Sequence, residues 1–156
     1  MTFNTSAIVS YLISRDQYTD VTQPDFRTRV KSTFGNPEWR GQLSTSIRYK
    51  DVTLSHRAQY IGKQLQNIAV TDPYNTYFTV DGRAPTNPDT TPFAYYPDKF
   101  YHDFRLEFDV NKKFNFYMGV DNAFDTLPPY DLLGNEAGAL FDPTGRFFYA
   151  GFRAKF

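Results

Sequence analysis

Two carboxylates, Asp103 and Glu107, lie four residues apart with Arg105 between them, and two histidines, His56 and His102, stand among apolar residues. Paired carboxylates can share acid and base roles, and imidazoles can relay protons or ligate metals. Arg105 instead makes Asp103, Glu107 and Asp109 members of a ladder of mixed charge. The histidines have no carboxylate and no second imidazole at ligand spacing, so no metal and no cofactor is assigned. There is no cysteine, no G-x-S-x-G elbow and no phosphate-binding loop, which removes the usual carriers of nucleophilic and nucleotide chemistry. An enzyme is not expected.

The elements that must position these residues alternate with period two, not 3.6. In residues 101–110, His102, Phe104, Leu106, Phe108 and Val110 take one face, and Tyr101, Asp103, Arg105, Glu107 and Asp109 the other. Phe114, Phe116, Met118 and Val120 continue the apolar face after a three-residue connection, so Val110 and Phe114 face the same side. Upstream, Leu43, Thr45, Ile47 and Tyr49 run to a Lys50-Asp51 turn, and Val52, Leu54, His56, Ala58 and Tyr60 return from it. A two-residue hairpin sets Tyr49 opposite Val52 and keeps the faces in agreement. The first strand spans about residues 3–15, with Ala7, Val9, Tyr11 and Ile13 opposite Ile8 and Leu12. The last, residues 147–156, alternates Phe148, Ala150, Phe152, Ala154 and Phe156 with Tyr149, Gly151, Arg153 and Lys155. The chain is therefore expected to be all-β, an antiparallel up-and-down meander of about six long strands without an amphipathic helix.

The connections alternate between tight turns and long segments at residues 16–37, 62–99 and 125–146, so turns and loops fall on opposite rims. Loops that long count against a compact soluble domain, but tight turns at one rim and long loops at the other are the pattern of an outer-membrane barrel. Strands of about 10–13 residues reach the ~9–11 that cross a bilayer at a tilt. Sixteen Phe and twelve Tyr in 156 residues fit that setting, as does a mean hydropathy of −0.56, low for so aromatic a chain. Seventeen cations balance seventeen anions, which gives no footprint for nucleic acid. No basic, apolar leader opens the sequence, so no signal peptide is read there. About six strands cannot close a membrane barrel, whose smallest forms have eight. Two alternatives stand beside a segment of a larger barrel. One is a soluble all-β ligand-binding module, with its apolar faces inward. The other is a porin-like barrel in which copies close each other's edges.

Residues 120–129, Val-Asp-Asn-Ala-Phe-Asp-Thr-Leu-Pro-Pro, then 141–146, Phe-Asp-Pro-Thr-Gly-Arg, and the closing strand resemble the end of a TonB-dependent outer-membrane receptor, as does Asn-Pro-Glu-Trp-Arg at 36–40. Ala123 stands where that family usually has Leu. The resemblance covers nearly the whole chain but only the last third of a typical receptor. It implies that residues 1–156 are the C-terminal portion of a barrel of about 22 strands in the outer membrane of a Gram-negative bacterium, for uptake of a scarce nutrient. The plug domain and TonB box are absent from this sequence, so the chain is not expected to transport alone. Implied partners are outer-membrane lipid, the N-terminal barrel strands and plug, the barrel-assembly machinery, and TonB only through the missing N-terminal part. Gly151, Phe152, Ala154 and Phe156 match the spacing of the assembly signal. Substrate contacts are sought in the loops, at Tyr74, Tyr77, Phe78, Asp81, Arg83, Tyr95, Tyr96 and Tyr130, and Asp103, Arg105, Glu107 and Asp109 are expected to face the lumen.

Overall fold

The computed structural model describes residues 1–18, 20, 22, 27–65, 95–130 and 140–155. Ten strands follow in order: β1 (Thr2–Tyr11), β2 (Asp16–Tyr18), β3 (Arg27–Arg29), β4 (Trp39–Tyr49), β5 (Val52–Ile61), β6 (Gln64–Leu65), β7 (Tyr95–Tyr96), β8 (Lys99–Asp109), β9 (Phe114–Asp121) and β10 (Phe147–Ala154). The six long ones form one sheet in the order β1-β4-β5-β8-β9-β10, antiparallel throughout. Each long strand thus pairs with the next along the chain, as in an up-and-down meander. Tyr49 opposes Val52 across the first turn, where Lys50 takes a left-handed φ of 53°. In the second turn the Asn111 side chain accepts from the amides of Lys113 and Phe114 at 2.8 and 3.1 Å and so replaces the missing ladder bonds.

β1 settles in the register that sets Ala7 opposite Leu43, Val9 opposite Gly41 and Tyr11 opposite Trp39. It ends at Tyr11, short of the expected residue 15. The Leu12 amide bonds to the Glu38 carbonyl at 2.8 Å, and the chain then leaves the sheet for β2. The long strands run 8 to 11 residues, the last two being the shortest. The connections carry small ladders of their own, β2 with β3 and β6 with β7.

Burial separates the two faces in an unusual way. The apolar face lies open along its length: Leu54 is 46% exposed, Phe148 70% and Phe152 77%. A soluble module would turn these side chains toward a core, so the inward-facing alternative does not describe this sheet. The buried cluster sits instead at the loop rim of the charged face, where Ile61 and Tyr101 meet Tyr96 and Phe141, with Phe34 and Leu140 packed against them. Four chain segments converge there. Gln64, fully buried, accepts from the Gly35 amide at 2.6 Å, and the Leu65 amide bonds to the Ser32 carbonyl at the same distance.

Between β9 and β10 the charged face is set by two reciprocal contacts. Gly119 opposes Tyr149 and Gly151 opposes Tyr117, and each tyrosine ring lies over the glycine across from it. A Cβ on Gly119 would stand 2.4 Å from Tyr149 Cζ and 2.9 Å from the Phe104 carbonyl oxygen, and one on Gly151 2.5 Å from the Tyr117 hydroxyl. A slip of two residues keeps the faces but sets ring against ring, so this interlock fixes the register of the last strand. Gly119→Ala should cost about 1–3 kcal/mol because backbone blocks relaxation, and Gly151→Ala less, because the Tyr117 ring can swing. Denaturant unfolding in detergent micelles measures both, and equal losses would contradict the interlock.

Candidate functional site

The charged face is built from cross-strand pairs. Arg57 on β5 donates from Nε to Asp103 Oδ2 on β8 at 2.7 Å, and a terminal guanidinium nitrogen lies at the same distance from that oxygen. The other oxygen of Asp103 accepts from the Asn122 amide at 2.9 Å. Arg48 reaches from β4 over β5 to Asp109 at 2.7 Å, and Asn115 donates to the second oxygen of Asp109 at 2.8 Å. Arg105 pairs with Glu107 at 2.9 Å and lays its guanidinium 4.5 Å from the centre of the Tyr117 ring. Asp103, Glu107 and Asp109 therefore each hold a cationic partner. With Asn4, Ser6, Ser44, Ser46, Ser55 and Tyr149, three of these residues, Arg57, Asp103 and Arg105, line a groove of about 530 Å³, and Asp121 of β9 lines the same groove as Asp103. Such a surface can bind water and polar solutes.

At the loop rim the two segments singled out in the sequence come together. Asn122, 1% exposed and at φ 48°, donates to the Thr126 carbonyl at 2.9 Å and accepts from the Thr126 amide at 2.8 Å. Asp125, at φ 56°, accepts from the Arg146 amide at 2.9 Å. The end of β9 is thus clasped to the start of β10. Ala123 contributes only its amide, to the His102 carbonyl at 2.7 Å, so its departure from Leu leaves the clasp intact. Replacing Asn122 with Ala strands buried partners and should cost about 1–3 kcal/mol, read as earlier exchange of the Thr126 and Arg146 amides with solvent.

The histidines correct the sequence expectation. Ala58 opposes His102 and His56 opposes Phe104, which makes the imidazoles diagonal neighbours on the apolar face. His56 Nε2 and His102 Nδ1 are 3.0 Å apart. The rings are 4° from parallel with centroids 5.3 Å apart, a separation equal to that contact plus two ring radii. They lie end to end and share an in-plane N–H···N hydrogen bond. His56 also stacks on Phe104, and Phe124 meets His102 edge-on. Two imidazoles aimed at each other do not form a chelate, and among the described residues no three His, Asp or Glu groups converge for a metal. Replacing either histidine with Leu leaves an unpaired polar ring and should cost about 1–3 kcal/mol. The double replacement should be close to neutral, and a double-mutant cycle of stability in lipid vesicles reads that coupling.

Of the loop candidates, Tyr96 is buried in the loop-rim cluster, 5.3 Å from Phe34 between ring centres, and is a packing element. Tyr130 is 54% exposed at the rim. Tyr95 belongs to β7, and Tyr74, Tyr77, Phe78, Asp81 and Arg83 lie outside the described residues, as does Phe156. Gly151 takes the charged face beneath Tyr117, while Phe152 and Ala154 oppose Phe116 and Phe114 on the apolar one. A rim cluster that sequence reading passed over joins Tyr11, Lys31, Ser32 and Glu38. Lys31 donates to the Tyr11 hydroxyl at 3.1 Å, which raises its pKa, and pairs with Glu38 at 3.2 Å. Burial opposes ionisation of Glu38, but the Ser32 hydroxyl and Lys31 outweigh it and hold the carboxyl below its usual range. The small stabilisation from this exposed pair is present above the ordinary carboxylate range and fades as pH falls through the lowered value.

Long antiparallel strands, an exposed apolar face, a charged opposite face and loops gathered at one rim define a segment of a β-barrel. No protein-family profile matches the chain, and no curated protein is similar to it in sequence. Among solved structures, a mutant of the ferric enterobactin receptor PfeA from Pseudomonas aeruginosa superposes with a TM-score of 0.61 at 18% identity, over 99% of this chain and 20% of that one. The same receptor in complex with BCV-L6 gives 0.60 at 18% identity over 97% and 20%. A further mutant, bound to enterobactin, gives 0.54 at 16% identity over 97% and 20%. This chain spans about a fifth of the receptors it matches, and the likeness establishes its fold as part of such a barrel.

Proposed function

We propose that the chain is the C-terminal barrel part of a TonB-dependent outer-membrane receptor for a scarce nutrient. The observation that carries this reading is the inverted sheet, with its apolar side chains open to the surroundings and its ion pairs and hydroxyls on the other face. In water that arrangement leaves far more contiguous apolar surface uncovered than a monomer tolerates. In lipid it is the stable one. Rings near the loop rim, Tyr11 with Trp39 and Tyr60 with Phe100, match the aromatic belt expected at a membrane interface, with Tyr49 and Phe114 at the other rim.

On this reading Asp103, Arg105, Glu107 and Asp109 face the lumen, and the three long connections are extracellular. Gly151, Phe152, Ala154 and Phe156 serve the assembly machinery through the open edge of β10. Among siderophores, cobalamin and saccharides, a ferric siderophore has the support of the similar solved receptors. Uptake requires the plug and TonB box of the whole receptor, so this part supplies wall and loops. The sheet offers β1 and β10 as edges unpaired among the described residues, and the remaining barrel strands are their partners.

Substitution on the two faces tests the reading. Leu43→Arg, on the apolar face midway along β4, should weaken insertion into vesicles by about 2–4 kcal/mol, as a cation at mid-bilayer does, whereas Ser44→Arg next to it should change insertion little. Equal effects, or a wild-type chain that stays soluble and monomeric without detergent, would overturn it.

A further inference from the structure

The charge balance of the chain hides an uneven distribution. At the tight-turn rim Lys50 occupies the first turn, Lys112 and Lys113 the second, and Arg153 and Lys155 the end of β10, with Arg48 one step inside. Against these six cations stand Asp51 and Asp109, and Asp109 is already held by Arg48 and Asn115. The Lys155 amide donates to the Lys113 carbonyl at 2.9 Å, so backbone geometry brings the last cations of β10 beside those of the second turn. All five outer cations are exposed. Among the described residues, no carboxylate stands at ion-pair distance from Lys112, Lys113 or Lys155.

The turn lysines also follow the edge of the apolar band, whereas Arg153 and Lys155 continue the charged face of β10. Tyr49, Val52 and Phe114 border the turns on that face, and the Lys50 ammonium lies 5.4 Å from the centre of the Tyr49 ring. An arc of exposed lysines along an apolar margin does not converge on a pocket or present a planar fork to one carboxylate. It fits many mobile anions held in a plane at the edge of hydrocarbon.

We propose that this rim is an interaction surface for anionic phospholipid headgroups, of the phosphatidylglycerol class, in the leaflet it meets. The inference rests on the barrel reading, which sets the apolar band in the bilayer and the turn rim at its surface. Lysine stems lie along the band while their ammonium groups reach the phosphates. The attraction is electrostatic and exposed, so salt screens it.

The test uses the full chain and vesicles of phosphatidylcholine alone or mixed with phosphatidylglycerol, with binding read by flotation at low and high salt. The wild type should prefer the anionic vesicles, and that preference should shrink at high salt. Lys50→Gln/Lys112→Gln/Lys113→Gln should lose it, on the order of fivefold per lysine at low salt, while binding neutral vesicles as before. Arg40→Gln at the opposite rim should retain it. Equal binding of the wild type to both vesicles, or a preference kept by the triple variant, would overturn the inference. No binding to either vesicle would instead overturn the barrel reading on which it rests.

Discussion

On the barrel reading, a backbone amide in hydrocarbon has no water to bond, and this constraint orders the rest of the molecule. Every long strand must surrender its donors and acceptors to neighbours on both sides, which only a closed sheet provides. The meander meets the demand at five internal seams and, among the described residues, leaves it open at β1 and β10. On that reading the outer edges call for further strands, not for a solvated surface. The same demand explains the turn rim, where the Asn111 side chain takes over amides that the ladder can no longer reach.

With the backbone committed to the ladder, side chains have two faces and two different solvents. The outer face offers mainly dispersion and aromatic contacts, and its polar groups pair with each other, Thr5 with Thr45 and His56 with His102. The inner face is wet and highly charged, yet its charges are not loose. Arg57, Arg48 and Arg105 each engage a carboxylate, and Arg105 also rests on Tyr117, the ring that covers Gly151. Charge pairing and strand register are thereby joined at one place, because the ring that receives the cation is also the one that locks the last strand.

The loop rim follows a different rule. There the chain leaves the ladder, and a compact cluster of Ile61, Tyr96, Tyr101 and Phe141 replaces it. The Asn122–Asp125 clasp works beside that cluster, holding together the end of β9 at Asp121 and the start of β10 at Phe147, 26 positions apart in sequence. Left-handed backbone at Asn122, Asp125 and Gly145 is tolerated because side-chain and backbone bonds close around it.

Period-two alternation was legible from the residues alone, because the side-chain period of a strand is a local property of the chain. It was enough to place Asp103, Arg105, Glu107 and Asp109 on one face, to align Tyr49 with Val52 across the turn, and to separate turns from loops. The tertiary structure alone decided which residues meet across strands. His56 and His102 are 46 positions apart, and no spacing rule relates them; they touch because β5 and β8 are neighbours in the sheet. The Tyr–Gly interlock and the loop-rim cluster were hidden for the same reason, since each draws single residues from separate segments and leaves no periodic trace. Alternation encodes a face, whereas a contact needs a register, and register comes from the pairing of whole strands.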